Sequence, residues 1–415
     1  MAVVALSELL GTAVYSSTGS RCGRVHEVAI TPGEDRARIT SFVVKTKAGE
    51  RIVTASSIVA ADPYGLHTTL PQSQWTSLNG GEGLLLLERD LLDQQIIDVH
   101  GRKVVRVNDA DIVLEPENSH IGLKVTAVDV GTRGIVRRLL KGLVPAELLR
   151  RITQKFGSKV IPWEFVDLIE TDPARRVKLR ISHDRLAKLH PADIADIIEE
   201  LAPAEREAVI ETLDEGVAAE ALEELDPKMQ VSIVSSMDSE KAADIVEEMD
   251  PDAAADLLGD LSPEQSQEIL EEMDPAEREE VSELLQHEEN TAAGRMNTEY
   301  LALSPRATVA DAGQMLRTYE GDISSVSTIF LVSDDWKLAG AIPLSRIVAA
   351  QPSTPLSELA GEGVIFCTSE CNEKEVASLF DKYNLLTLPV VDSEGRLTGI
   401  ITADDVISLL RKYAE

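Results

Sequence analysis

Residues 249–285 read MDPDAAADLLGDLSPEQSQEILEEMDPAEREEVSELL. A Pro returns every twelve residues, at Pro251, Pro263 and Pro275, and carboxylates crowd the positions between. The same period extends both ways. Leu189, Leu201, Leu213, Leu225, Met237, Met249, Leu261, Met273 and Leu285 mark eight units of twelve residues. Pro stands two places after the marker at Pro191, Pro203, Pro227, Pro251, Pro263 and Pro275, and Glu215 and Ser239 stand there in the other two units. Asp precedes that place at Asp214, Asp226, Asp238, Asp250 and Asp274. An Asp carboxylate that accepts orphan backbone N–H groups, followed by a Pro preset to helical φ, signals a helix start. Each unit therefore predicts one short helix.

Apolar residues recur at a fixed place within the units, as in Ile197-Ile198, Ile233-Val234, Ile245-Val246, Leu257-Leu258 and Ile269-Leu270. With the markers they form one stripe, and Glu and Asp take the outer face. A helix of about ten residues is marginal alone in water, so neighbouring units must stack to bury their stripes. The expected form is an all-α superhelical solenoid. A long coiled coil is excluded, because it needs a sustained heptad without Pro.

The net charge of −32 is uneven. Residues 1–188 carry 26 basic and 22 acidic side chains, 189–289 carry 4 and 33, and 290–415 carry 10 and 17. Such an acidic surface repels nucleic acid and attracts cations or basic partners. The carboxylates chiefly keep short helices soluble, but their mutual repulsion also favours an extended state that bound cations would compact. No apolar run approaches the roughly 18 residues that cross a bilayer, and the N-terminus lacks a secretory pattern. A cytoplasmic location is expected. Cys22, Cys367 and Cys371 form no even disulfide framework and read as buried or incidental thiols; the seven His show no ligand spacing. Nothing proposes a catalytic centre, so an enzyme is not expected.

The first region reads as β structure in two copies. LLGTAVYSSTGSRCGRVHEVAI aligns across its turn with LLDQQIIDVHGRKVVRVNDADI, which predicts an internal duplication. The hairpins around Gly19, Gly23 and Val25 and around Gly101, Lys103 and Val104 resemble the PRC-barrel family. RIVTASSIV (51–59) and KVIPWEFVDLI (159–169) resemble that family's closing strands. Tandem small β-barrels over 1–85 and 86–178 are the expectation. The second copy carries a basic insertion over 133–157, where Arg137, Arg138, Lys141, Arg150 and Arg151 alternate with Leu and Ile at helical spacing. It reads either as a docking patch for an anionic membrane surface or acidic partner, or as a packing helix with a solvated basic side.

The third region, 290–415, alternates strands and helices in two passes and predicts a paired α/β module. LPVVDSEGRLTGIITADDV (388–406) resembles the second half of a CBS-domain pair. With the solenoid (179–289) and the link EENTAAGRMNTEYLAL, it resembles the cytosolic part of MgtE-type magnesium transporters. In that family a pore follows the CBS pair, whereas this sequence ends at Glu415, so the expectation is a sensor acting on a separate transporter. The resemblance implies a homodimer through the CBS pair, peripheral placement at the inner membrane face, and Mg2+, with Mn2+ as the alternative, bridging the N domain to the CBS domains. By resemblance the metal acids are Asp252, Asp256 and Asp405, with Glu373 and Glu375 beside family positions that Asn372, Lys374 and Asn384 now occupy. Thr402 and Asp405 match the family's adenine-nucleotide pair, while Pro343 and Arg346 replace it in the first half. The alternatives are a nucleotide sensor and a constitutive scaffold in which the pair serves only dimerisation.

Overall fold

The computed structural model describes residues 2–31, 35–62, 65–78, 83–117, 120–141, 144, 159–170, 183–288, 290–319, 323, 325–361 and 363–407. The chain divides into two compact units, Met1–Leu225 and Asp226–Glu415.

In the first unit both β copies repeat one element order. A short helix (Leu6–Leu9, then Leu87–Asp90) leads to a hairpin (Ala13–Tyr15 with Arg21–Ile30, then Gln95–Asp98 with Lys103–Arg106). Each copy then contains a strand, 3-10 turn, strand step, which in the first copy is followed by further strands at Gly65–Thr68, Thr76–Ser77 and Leu85–Leu86. The turns are Ala55–Ser57 in the first copy and Trp163–Phe165 in the second. The expected closed barrels do not form among the described residues. The first copy is an eight-stranded sheet whose pairing runs from Ile58–Asp62 to Thr76–Ser77 without joining its ends. The second copy splits into two sheets, and one of these takes its edge strand from the N-terminus, Ala2–Ala5 antiparallel to Asp109–Glu117. That exchange covers an otherwise open edge. One apolar core runs through both copies, from Leu6, Phe42 and Leu66 to Ile96, Ile112 and Val128. A shared core gives each sheet a face to bury against, so neither must curl closed on itself.

The eight predicted helices are present at the predicted starts: Pro191–Glu199, Pro203–Ile210, Glu215–Glu223, Pro227–Val234, Ser239–Val246, Pro251–Asp260, Pro263–Glu272 and Pro275–Leu284. The first three belong to the first unit and the other five to the second. Asp226 and Asp238 cap as expected, accepting from the N–H of Lys228 (3.0 Å) and Glu240 (3.2 Å). Asp214 and Asp274 make no side-chain cap bond; the preset φ of Pro275 and a first-turn carboxylate, Glu277, favour the one start, and the first-turn carboxylate Glu215 the other. Within each unit, stacking joins helices two repeats apart: Pro191–Glu199 to Glu215–Glu223, Pro227–Val234 to Pro251–Asp260, Ser239–Val246 to Pro263–Glu272, and Pro251–Asp260 to Pro275–Leu284. The predicted stripe is what they bury, with Ile197, Ile198, Ile233, Val234, Ile245, Val246, Leu257 and Leu258 all inside.

The α/β module has two matching halves. Ala302–Leu303 runs parallel to Thr328–Val332, which pairs antiparallel with Leu338–Pro343. Cys367–Thr368, Thr387–Val391 and Leu397–Thr402 repeat that order, with the register shift at the same place. The hairpins of the two halves bond to each other, Leu338 N–H to Gly395 O at 3.0 Å and Leu397 N–H to Trp336 O at 3.1 Å.

Candidate functional site

Pro251 at the first helical position starts the helix that carries Asp252 and Asp256, and four-residue spacing puts both on one face. The Asp252 side chain is half-buried. Its Oδ1 is shut off from solvent and has no hydrogen-bond partner. Burial foremost, then the charges of Asp405, Asp250 and Asp256, hold this carboxyl well above the usual range. Asp405 lies in the first turn of the helix that begins at 403. Its Oδ2 accepts from the Thr402 N–H and Oγ1–H, both at 2.7 Å, the N3-to-N-cap half of a capping box. Burial foremost, with Asp404 and Asp250 adding repulsion, pushes Asp405 up to about 6.

The solenoid and the α/β module thus bring two reluctant carboxylates, Asp252 and Asp405, close enough for the charge of Asp405 to oppose ionisation of Asp252. Asp256 and Glu373 behave differently. The Arg295 guanidinium reaches both: Nη1 bonds Asp256 Oδ2, and Nε lies 3.3 Å from Glu373 Oε1. Arg295, Glu373 and Asp405 line a small open cleft with Thr291, Val376 and Ile401. Glu375 is elsewhere: its Oε2 accepts from the Asn372 N–H at 3.2 Å, and Asn372 Oδ1 accepts from Lys374 and Glu375 N–H groups, so it caps the Glu373–Tyr383 helix. Among the described residues no three His, Cys, Asp or Glu side chains converge as a ready metal cage. In the first half, Arg346 ties down its own loop through Leu359 O at 3.1 Å.

Sequence reasoning missed Arg295 and Asp250. Arg295 was legible only as an isolated cation just after a stretch with 4 basic and 33 acidic residues.

The expected docking cations of the first unit are turned to internal use. Arg137 is buried and pairs with the fully buried Asp109 at 3.0 Å. Arg138 grips Asp93 with two bonds, at 2.6 and 2.8 Å. Lys141 Nζ donates to Ser7 O and Leu10 O, and burial lowers its pKa. The helix Thr132–Leu140 therefore packs its basic side inward, because the β copies offer Asp93 and Asp109 there. Arg150 and Arg151 lie outside the described residues.

Family comparison matches residues 189–290 to the MgtE intracellular N domain and residues 356–412 to the CBS domain. The crystal structure of the cytosolic domain of the Mg2+ channel MgtE in complex with ATP aligns at 32% identity and TM-score 0.52, covering 56% of this chain and 94% of that one. The C-terminal half of this chain is of the MgtE cytosolic type. The soluble part of a magnesium transporter also aligns with it, at 25% identity and TM-score 0.53, over 58% of this chain and 94% of that one. The magnesium transporter MgtE of Thermus thermophilus is 35% identical over 134 residues, 32% of this chain and 30% of that protein. MgtE of Bacillus subtilis is 28% identical over 134 residues, again 32% of this chain and 30% of that protein. The chain thus spans under a third of the length of these curated relatives. Among the described residues no helix is long and apolar enough to cross a membrane.

Proposed function

We propose that the MgtE-type half is a non-enzymatic divalent-cation sensor, located in the cytoplasm, that regulates magnesium transport through a pore carried outside these 415 residues. The observation that carries this reading is the Asp252 carboxylate, with Oδ1 buried and unpartnered and with the charge of Asp405 opposing its ionisation. A buried polar atom without a partner costs free energy, and like charges add to that cost. A hard cation relieves both. Asp252 and Asp405, with Asp250 close by, fit Mg2+, which accepts one or two carboxylates while keeping several waters; Mn2+ accepts the same oxygen donors. Bound there, the cation would draw the acidic helix onto the α/β module, and the docked state would be the signal.

Titration of the full chain with MgCl2, followed by small-angle scattering and limited proteolysis, tests this. Compaction at millimolar Mg2+ that is lost in Asp252→Asn/Asp405→Asn is the expected result; an unchanged scattering curve in the wild type would refute sensing. The β copies, which we relate to PRC-type β domains, are proposed to serve as the docking module for the transporter. Dimerisation through the CBS pair is supported by the exposed apolar side chains Val348, Leu386 and Ile407.

A second reading, adenine-nucleotide sensing, draws on the Thr402–Asp405 pair at the cleft. Asp405→Ala should then abolish ATP binding in calorimetry. Partner affinity unaltered by either metal or nucleotide would instead indicate a constitutive scaffold.

A further inference from the structure

The backbone around Arg295 is fastened to the second half of the α/β module on both sides. Ala292 N–H bonds Cys371 O at 2.7 Å, Ala293 N–H bonds Ser369 O at 3.1 Å, and Asn297 and Ile400 exchange two bonds at 2.7 and 2.8 Å. The Arg295 side chain is therefore delivered from a fixed base and is only 21% exposed. Asp256 and Glu373, which it bonds, come from different layers. Asp256 belongs to the solenoid helix Pro251–Asp260, and Glu373 is the first residue of the Glu373–Tyr383 helix, its side chain 7% exposed.

The charge arithmetic makes this contact consequential. The helix Pro251–Asp260 contains Asp252, Asp256 and Asp260 and no basic residue. It faces a module edge that carries Glu373 and Asp405. Without a cation between them the two surfaces repel. A planar guanidinium with several fixed donors can bond two carboxylates at once, and an ammonium does so less well.

We propose that Arg295 is a built-in cation that holds the Asp256 side of the solenoid on Glu373 without metal, so that exchangeable divalent cation acts on the Asp252–Asp405 side of the same contact. Arg295 sets the metal-free level of docking, and bound metal adds to it. The second clause rests on the cation-sensing reading; the first stands without it.

The test is amide hydrogen exchange of the Pro251–Asp260 helix in the full chain at low salt, in EDTA and in 10 mM MgCl2. In EDTA, Arg295→Gln should exchange about 3- to 10-fold faster than wild type, the effect of losing one or two partly exposed ion pairs. Arg295→Lys should fall between them. The triple variant Arg295→Gln/Asp256→Asn/Glu373→Gln should return towards wild type, because the two carboxylates that Arg295 compensated are neutral; a merely misfolded protein would not recover. Wild-type exchange in Arg295→Gln, or a triple variant as fast as the single, would overturn the proposal. If Mg2+ slows exchange in no variant, the metal reading fails, while the EDTA comparison still decides the role of Arg295.

Discussion

Replacing Asp405 by Asn should strengthen, not weaken, the metal-free contact between the solenoid and the α/β module. Asn keeps an oxygen to accept from Thr402 N–H and Oγ1–H, so the helix cap survives. What it removes is a buried charge opposed by Asp404 and Asp250 and standing against Asp252. A carboxyl moved from its ordinary 3.8 to about 6 makes the ionised folded form costlier by on the order of 3 kcal/mol, an upper figure because Asp405 keeps some solvent. The folded group holds its proton more readily than the unfolded one. Its contribution is therefore complete below pH 3.8 and is lost as the pH rises through about 6. At pH 7 in EDTA, Asp405→Asn should slow exchange of the Pro251–Asp260 amides by up to a hundredfold, roughly the same free energy expressed as a ratio. Wild-type protection, corrected for intrinsic exchange, should fall between about pH 4 and 6, and the variant's should not. If Asp405→Asn is no better protected at pH 7, or wild-type protection rises with pH, the electrostatic account of the site is wrong.

Three further outcomes follow from other contacts. Arg137→Ala leaves Asp109 charged and fully buried, still bonded to Ser7 but without its cation, and should destabilise the β unit by about 3–5 kcal/mol, measured by urea dependence of exchange in Asp109–Glu117. Gly399→Ala places a Cβ 2.7 Å from Met296 Cγ and Sδ and should cost about 1–3 kcal/mol in the α/β module by the same measurement over Leu397–Thr402. Burial foremost, and then Cys371, pushes the Cys367 thiol up to about 12, so iodoacetamide at pH 8 should spare Cys367 in the native chain and label it once denatured; labelling as fast as at Cys22 would contradict its burial.

Legibility in the sequence tracked the distance over which the information lies. Helix starts at Pro191 or Pro227 rest on a cap, a φ constraint and an apolar pair within one unit, so the period alone located all eight helices. The duplicated hairpins and the two α/β passes were legible for the same reason. Barrel closure was not. Whether Ile58–Asp62 meets Thr76–Ser77, or whether Ala2–Ala5 leaves for Asp109–Glu117, depends on which edges compete across more than a hundred residues. The basic helix shows the same limit. Its periodicity is real, but Asp93 and Asp109 decide which way Arg137 and Arg138 point.

The sequence by itself determined the solenoid, the paired α/β module, the MgtE-like order of the second half and the short list of acids worth attention. Only the tertiary structure decided what each acid does. The charge of Asp405 opposes ionisation of Asp252, Glu375 closes its own helix cap, and Arg295 takes Asp256, 39 residues away, and Glu373, 78 residues away. Residue type and spacing specify a local turn because its atoms interact within a few positions. They do not specify charge partners, because a carboxylate's environment is set by whatever the completed fold brings against it.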